Sequence, residues 1–372
     1  MRHRTLGRST ESIPVIGQGC MGVGGELSAD STRDAEQIEA LRIGIDLGMT
    51  LIDTAEVYGN GHSEELVGLA VRGIRSEVFI ATKFSPENSS YENVLRAAER
   101  SLRRLRTDFI DLYQVHWPNP AVPIDETMRA LEKLVEAGKV RHVGLSNFSV
   151  AEMREAMLAV PALSVAANQV EYNLFDRFIE RRILPYCLAE RVTVIAYSPL
   201  DKGRVSPGDH LLREISLRYD KTPAQIVLNW LVRQPEVIVI PKAINPVHIR
   251  ENAAAADFVM SDDDACRLGE AFSAEPILLP TMDINVSDHG EGNRKVYQTV
   301  EQALQNELNF APSPSELAAD ILKGEPIKPI RVVLADAESH KYELVEGRIR
   351  YWAWVIAHGG NMLIPALIRN SR

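Results

Sequence analysis

Cysteine, aromatic residues, positive charge and long apolar runs are all scarce in this chain, and each shortage closes a route. Three cysteines in 372 residues, Cys20, Cys187 and Cys266, lie far apart and form no CxxC pair. A disulfide framework and a cysteine-rich zinc site are thereby unexpected, no metal is called for, and the three thiols read as small apolar residues. No run of about 18 apolar residues occurs, and the basic start MRHRTLGRST lacks an apolar segment behind it. A soluble, cytoplasmic protein with no membrane partner is expected. The net charge of −10 argues against a general polyanion binder, so nucleic acid is not an expected partner either.

What the chain does have is length and alternation. At 372 residues it exceeds a parallel α/β barrel of about 250 residues and leaves room for a smaller unit. Eight short apolar runs read as strands: IGQGC, TLIDT, VFIATK, IDLYQVH, VRHVGLS, VAANQVEY, VTVIAYS and EVIVIP. Between them lie helix-patterned segments, among them AEQIEALRIGIDLG, YENVLRAAERSLRRL, DRFIERRILPYCLAE and TPAQIVLNWLVRQ. HIRENAAA follows the last strand, and SDDDACRLGEAF opens a further helix on Ser261. Strands and helices in strict alternation predict a (β/α)8 TIM barrel. The spacing Gly17-x-Gly19-x-x-Gly22 matches a dinucleotide fingerprint literally, yet no helix opens straight out of it. A first barrel strand whose glycines let backbone approach a ligand is the preferred reading.

Three successive strands end in an ionisable group. LIDTAEVYG carries Asp53 and, five residues on, Tyr58; VFIATK ends in Lys83; IDLYQVH ends in His116. Taken singly, an Asp after a strand caps a helix and a loop Tyr packs. Together at the carboxyl ends of consecutive barrel strands they can converge, because that face is where such barrels build sites. An ammonium beside a phenol lowers the phenol's pKa and makes it a better proton donor, so Lys83 is expected to act on Tyr58 while Asp53 keeps Lys83 charged. His116 would orient a carbonyl. The chemistry this suits is carbonyl reduction, with hydride from a nicotinamide and a proton from Tyr58.

These motifs, in order, resemble the aldo-keto reductase family over roughly residues 3–272: DTAEVYG, ATK, VHWP, VGLSNF, NQVEYN, AYSPL and IPKAINPVHIRENAAA. The resemblance implies that Asp53, Tyr58, Lys83 and His116 are a catalytic tetrad with Tyr58 as general acid. It implies nicotinamide contacts from Ser146, Asn147 and Gln169, stacking by Tyr197, and a pyrophosphate path along Ser198, Pro199 and Leu200. Lys242 sits where the resemblance places a cation for a 2′-phosphate, with Glu251 and Asn252 toward the adenine. Ala243 replaces a hydroxyl residue often found there, and His248 stands where Arg is common, although phosphate recognition favours the Arg fork. NADP is favoured over NAD. Trp117 reads equally as wall packing or as an aromatic facing the substrate.

Composition shifts near Ser273, where AEPILLPTMDINVSDHGEG brings Pro, Gly and Asp together. Domains are therefore expected at 1–273 and 274–372. The second part reads as a strand at PTMDINV, helices at TVEQALQNEL and SPSELAADILKG, strands at KPIRVVLAD and KYELVEG, a helix at IRYWAWVIAHGG and a strand at MLIPALIR. It resembles a small α+β ParB/sulfiredoxin-like domain over roughly residues 279–370. Gly347, with Arg348 and Arg350 at a helix start, is a candidate phosphate or nucleotide site, and Glu346 beside it would repel phosphate unless it held a metal. Two other classes stay in view. One is a nucleotide-binding or phosphotransferase protein led by this domain. The other, a DNA-partition-type binder, is disfavoured by 10 Lys+Arg against 13 Asp+Glu in residues 274–372, a net of −3. Substrate identity, the physiological direction of a reversible reaction and oligomeric state are not encoded in these motifs.

Overall fold

The computed structural model describes residues 1–203, 205, 209–272, 276–286, 296–308, 310, 312–335, 341–360 and 362–369. Part of the Pro-, Gly- and Asp-rich stretch after 273 lies outside the described residues. The chain divides into two compact units, Met1–Ser273 and Ala274–Arg372. Among the described residues no helix is long and apolar enough to cross a membrane.

The first unit opens with an antiparallel hairpin, β1 (His3–Thr5) and β2 (Ser12–Pro14). Eight strands then follow in one sheet: β3 (Gln18–Gly19), β4 (Leu51–Asp53), β5 (Phe79–Phe84), β6 (Ile110–Val115), β7 (Val140–Ser146), β8 (Val165–Glu171), β9 (Thr193–Tyr197) and β10 (Val237–Val239). Each pairs in parallel with the next in sequence. The ring closes where Ile16 bridges Val239 in parallel and Gly17 N–H donates to Val239 O at 2.8 Å. All eight strands are those expected, because strands covered on both faces must be apolar throughout. β5 and β6 are buried at every position.

Helices α1 (Asp34–Asp46), α2 (His62–Ala70), α3 (Tyr91–Leu105), α4 (Ile124–Glu136), α5 (Val150–Ala159), α6 (Ile183–Glu190), α7 (His210–Tyr219), α8 (Pro223–Val232), α9 (Pro246–Ala254) and α10 (Asp262–Ala271) complete the first unit. Their starts are written locally: Ser149 with Glu152, and Thr222 with Gln225, form reciprocal capping boxes, and Asn245 caps α9.

A Cβ on Gly19 would lie 2.5 Å from Ile240 O, and one on Gly17 would lie 2.8 Å from Leu51 O. Gly19 thus makes room for the chain after β10 at the barrel seam, and Gly17 for Leu51 of β4.

The second unit holds a five-stranded mixed sheet in the order β11 (Ile277–Pro280), β15 (Leu363–Arg369), β13 (Ile330–Leu334), β14 (Tyr342–Glu346), β12 (Ile284–Asn285). Helices α11 (Val300–Gln305), α12 (Pro314–Leu322) and α13 (Arg348–His358) belong to the same unit. Its core gathers Ile330, Val332, Leu344, Tyr351, Trp352 and Ile364. PTMDINV is not one strand: the chain turns at Thr281–Asp283 and passes from one edge strand to the other. Four residue steps reach about 14 Å, whereas the edges of a flat five-stranded sheet stand about 19 Å apart, so this sheet is curled.

Candidate active site

Asp53 is the last residue of β4 and Lys83 lies near the end of β5, and both are buried, with Asp53 2% and Lys83 0% exposed. Lys83 Nζ donates to Asp53 Oδ1 at 2.6 Å and to Thr54 O at 2.8 Å. The second carboxylate oxygen of Asp53 accepts from Gln169 Nε2 at 2.7 Å and from Gln114 Nε2 at 3.3 Å. Both carboxylate oxygens are therefore hydrogen-bonded, which is what a buried ion pair needs to persist. Burial acts most strongly on Lys83 and works to strip its proton, but the charge and hydrogen bond of Asp53, joined by Tyr58 and Cys20, together outweigh it and hold the ammonium above its ordinary range.

Tyr58 enters from the loop after β4. Gly59, Asn60 and Gly61 take φ of 55°, 52° and 93°, and a Cβ on Gly59 would meet Gly24 O at 2.3 Å, so the turn that presents Tyr58 requires glycine there. Lys83 Nζ lies 5.3 Å from the centroid of the Tyr58 ring, and the His116 ring meets that ring edge-on at 5.9 Å. The four groups expected to converge do so. The phenol differs from expectation in one respect: burial raises its pKa by more than Lys83 lowers it, so it is held above its ordinary value and stays protonated at neutral pH. Burial, reinforced by Lys83, drives His116 down to about 3, which leaves a neutral imidazole.

Beside these groups lie the residues expected to meet a nicotinamide. Ser146 ends β7 in register with Gln169 on β8, and Asn147 N–H donates to Gln169 O at 2.8 Å. Asn147 Nδ2 reaches His116 O at 3.1 Å and Ser146 Oγ at 3.0 Å, while its Oδ1 accepts from Tyr197 hydroxyl at 3.0 Å. Asn147 and Ser198 sit at φ 64° and 49°, a conformation non-glycine residues hold only where surroundings impose it, and one that clusters at functional sites. Pro199 is buried, and Leu200 is half-buried. Hydroxyl and amide groups beside a half-buried aromatic ring suit a carboxamide on a flat heteroaromatic ring.

Beyond β10, Lys242 and His248 are exposed and make no hydrogen bond or ion pair among the described residues. Lys242 precedes the amino end of α9, where Asn245 Oδ1 takes the N–H of Val247 at 2.9 Å. A free lysine before a helix start suits an anion. Glu251 is half-buried. Asn252 lines a cavity of about 10 Å³ with Gln18, Gln37 and Ala243, which has room for one water.

Sequence reasoning missed Gln114 and Glu56. A glutamine inside the otherwise apolar run IDLYQV was a signal that something polar faced it. Glu56 gave none, because a carboxylate in a loop is ordinary.

In the second unit, Gly347 takes φ 96° and caps α13. Arg348 donates to Leu344 O and Val345 O at 3.1 Å each, and Arg350 donates to Lys328 O and Pro329 O at 2.9 Å each. Glu346 pairs with the buried Arg331 at 2.8 Å and with Arg350 at 3.6 Å. Arg348 thus ties the turn to β14 and Arg350 ties it to the segment before β13, and the puzzling carboxylate is the partner of Arg331 and Arg350.

A model of the aldo/keto reductase family matches residues 15–271. Methylglyoxal reductase YeaE of Escherichia coli (strain K12) is 39% identical over 267 residues, covering 71% of this chain and 92% of that protein. The thermostable aldo-keto reductase Tm1743, solved with the inhibitor epalrestat, is 40% identical with a TM-score of 0.70, covering 73% of this chain and 99% of that one. An aldo/keto reductase from Klebsiella pneumoniae, solved with NADP and acetate, is 37% identical with a TM-score of 0.65, covering 70% of this chain and 92% of that one.

Proposed function

The chain belongs to the aldo/keto reductase family, and we propose that it is an NADPH-dependent reductase of small aldehydes and ketones in which Tyr58 gives the proton. The observation that carries this reading is the buried Asp53–Lys83 pair under the Tyr58 ring. NADPH, when bound, supplies the hydride. Ser146, Asn147 and Gln169 would hold its carboxamide, Tyr197 would stack on its ring, and Ser198, Pro199 and Leu200 would run beside its pyrophosphate. Lys242, with His248, Glu251 and Asn252 nearby, would take the 2′-phosphate and adenine end.

The residues divide the work by their charge states. Tyr58, protonated at neutral pH, donates its proton to the carbonyl oxygen as that oxygen gains charge. Lys83 stabilises the phenolate that this leaves, and Asp53 keeps Lys83 an ammonium throughout. His116, neutral, can donate one N–H to the same oxygen without competing as an acid. The reverse reaction uses the same groups with the phenolate as base. A protein of this chemistry works in the cytoplasm, where NADPH is available.

The relative named for methylglyoxal supports a 2-oxoaldehyde as the first substrate to try. The ParB/sulfiredoxin-like reading of the second unit rests on its sequence motifs KPIRVV, KYELVEGRIRYWA and IPALIR. Its arginines are engaged with carbonyls, so a nucleotide there would have to displace those bonds.

A panel of aldehydes and ketones, methylglyoxal among them, followed by NADPH absorbance tests the proposal. Turnover with at least one carbonyl at a rate well above that with NADH is expected, and no turnover across a broad panel would contradict it.

A further inference from the structure

We infer that Glu56 is a positioning residue that fastens the Tyr58 loop to strand β5 and so sets the distance between the Tyr58 hydroxyl and the Lys83 ammonium. The inference rests on the proposed role of Tyr58. It arises from a gap in the sheet. β4 stops at Asp53, yet Tyr58 must lie over a side chain of the neighbouring strand, and a free loop of four residues would not hold it there.

The gap is closed rung by rung. Thr54 N–H donates to Ala81 O at 2.9 Å, and Glu56 N–H donates to Lys83 O at 3.0 Å. The next rung would fall at residue 85, but the chain must turn there to present Tyr58, whose own N–H folds back to Ala55 O at 3.1 Å. A side chain supplies the rung: Glu56 Oε1 accepts from Ser85 N–H at 2.8 Å and from Asn88 Nδ2 at 2.6 Å. Two bonds from one residue thus grip β5 at Lys83 O and at Ser85 N–H, on either side of Phe84, and Tyr58 follows two positions later. The turn that Glu56 holds is itself tied to the loop that carries Trp117, because Asn119 Nδ2 donates to Pro86 O at 2.8 Å.

The charge of Glu56 is balanced in place. Its Oε2 lies 3.3 Å from Arg100 and 3.9 Å from Arg104. Arg104 also holds the buried Glu64 at 2.6 Å, and Glu64 accepts from Thr82 hydroxyl on β5 at 2.6 Å. From β6, Tyr113 faces both carboxylates and is kept a neutral phenol by its burial. Two acidic and two guanidinium side chains thus face one another around Glu56, whose side chain is 8% exposed. A glutamine there keeps an oxygen for Ser85 but leaves Arg100 without its counter-charge.

The test compares Glu56→Ala and Glu56→Gln with the parent enzyme. NADPH affinity should be unchanged in both, and kcat for methylglyoxal should fall roughly 10- to 100-fold in the alanine variant, the scale of a misplaced reacting group. Glutamine should recover much of that loss. A second readout needs no turnover: the Tyr58 phenol, titrated by ultraviolet difference against Tyr58→Phe, should ionise at higher pH in Glu56→Ala. The groups facing Tyr58 are Lys83, Asp53, Cys20 and His116. Burial holds Cys20 as a thiol and His116 neutral, so withdrawal of Lys83 is the change that raises the phenol.

Asp111→Asn serves as a stability control. Asp111 lies near the start of β6, at the opposite end of the barrel, where it binds Arg75 at 2.6 Å and Arg141 at 2.7 Å. That variant should melt earlier with the Tyr58 titration unmoved. An unmoved titration in Glu56→Ala, or a loss of kcat no greater than its loss of folded protein, would overturn the inference. Wild-type turnover by Tyr58→Phe would instead overturn the role of Tyr58, and the two failures are told apart by which variant remains active.

Discussion

Replacing Asp53 by asparagine keeps the shape of the side chain and removes the charge that neutralises Lys83. Lys83 has no exposure to water, and its remaining partner is Thr54 O at 2.8 Å. Breaking such a pair from one side costs about 3–5 kcal/mol when the other charge stays buried. The ammonium has an escape, which is to lose its proton. From an unfolded value near 10.4, that costs about 4.6 kcal/mol at pH 7 and about 1.9 kcal/mol at pH 9. The loss in Asp53→Asn is therefore capped by deprotonation, and the cap falls as pH rises. In the parent, the folded Lys83 binds its proton more tightly than the unfolded chain does, so its contribution is complete below about pH 10 and is lost only above it. In the variant the folded state binds fewer protons than the unfolded one, so stability must climb with pH. Urea unfolding of both proteins at pH 7 and pH 9, following the transition of the barrel, measures this directly. A loss of about 3–5 kcal/mol at pH 7 that shrinks below about 2 kcal/mol at pH 9 is expected. A loss under about 1 kcal/mol, or one that does not change with pH, would refute the claim that a charged Lys83 depends on Asp53.

Three further outcomes follow from the same geometry. Lys242→Ala should weaken NADPH more than NADH, by about 1–3 kcal/mol, and equal losses by calorimetry would remove Lys242 from phosphate recognition. Gly19→Ala forces a Cβ against Ile240 O at the seam and should destabilise the barrel by roughly 1–3 kcal/mol in thermal unfolding, where an unchanged melting point would contradict the contact. His116 titrates near 3 in the folded protein against about 6.5 unfolded, so the unfolded chain binds the extra proton between those values and stability should decline as pH falls through them. His116→Gln should flatten that part of the stability profile, and an unaltered profile would show that the imidazole is not held neutral.

The barrel was legible because its strands are buried on both faces and so read as unbroken apolar runs, each followed by an amphipathic helix. Elements that make few apolar demands were not. The hairpin β1–β2 is three residues a side and largely polar in sequence, and α7 follows a charged, Gly- and Pro-containing stretch that masks its start. DRFIERRILPYCLAE reads as one helix by period, but Pro185 cannot follow a helical Arg181 without its ring striking that carbonyl, and the chain breaks at Arg182 into a short 3-10 turn and α6. At the site, Asp53, Lys83 and His116 were legible from strand ends, and Tyr58 from its place in the loop five residues after Asp53. The polar residues that hold them were not, since Gln114, Thr54 O and Glu56 act through distances that no spacing in the chain encodes. The second unit's arginines were named for their position at a helix start, but that Arg350 would bind Lys328 O and Pro329 O, some twenty residues away in the chain, is encoded in no spacing.

The central claim is that Tyr58 supplies the proton while the rest of the site binds and orients. Tyr58→Phe removes one oxygen and keeps the ring that meets His116 and lies over Lys83. NADPH binding, measured by fluorescence on the same preparation, should be retained, and methylglyoxal reduction should fall by roughly 10²–10⁴-fold, the usual worth of a positioned proton donor. Turnover within a few-fold of the parent at equal NADPH occupancy would contradict the claim.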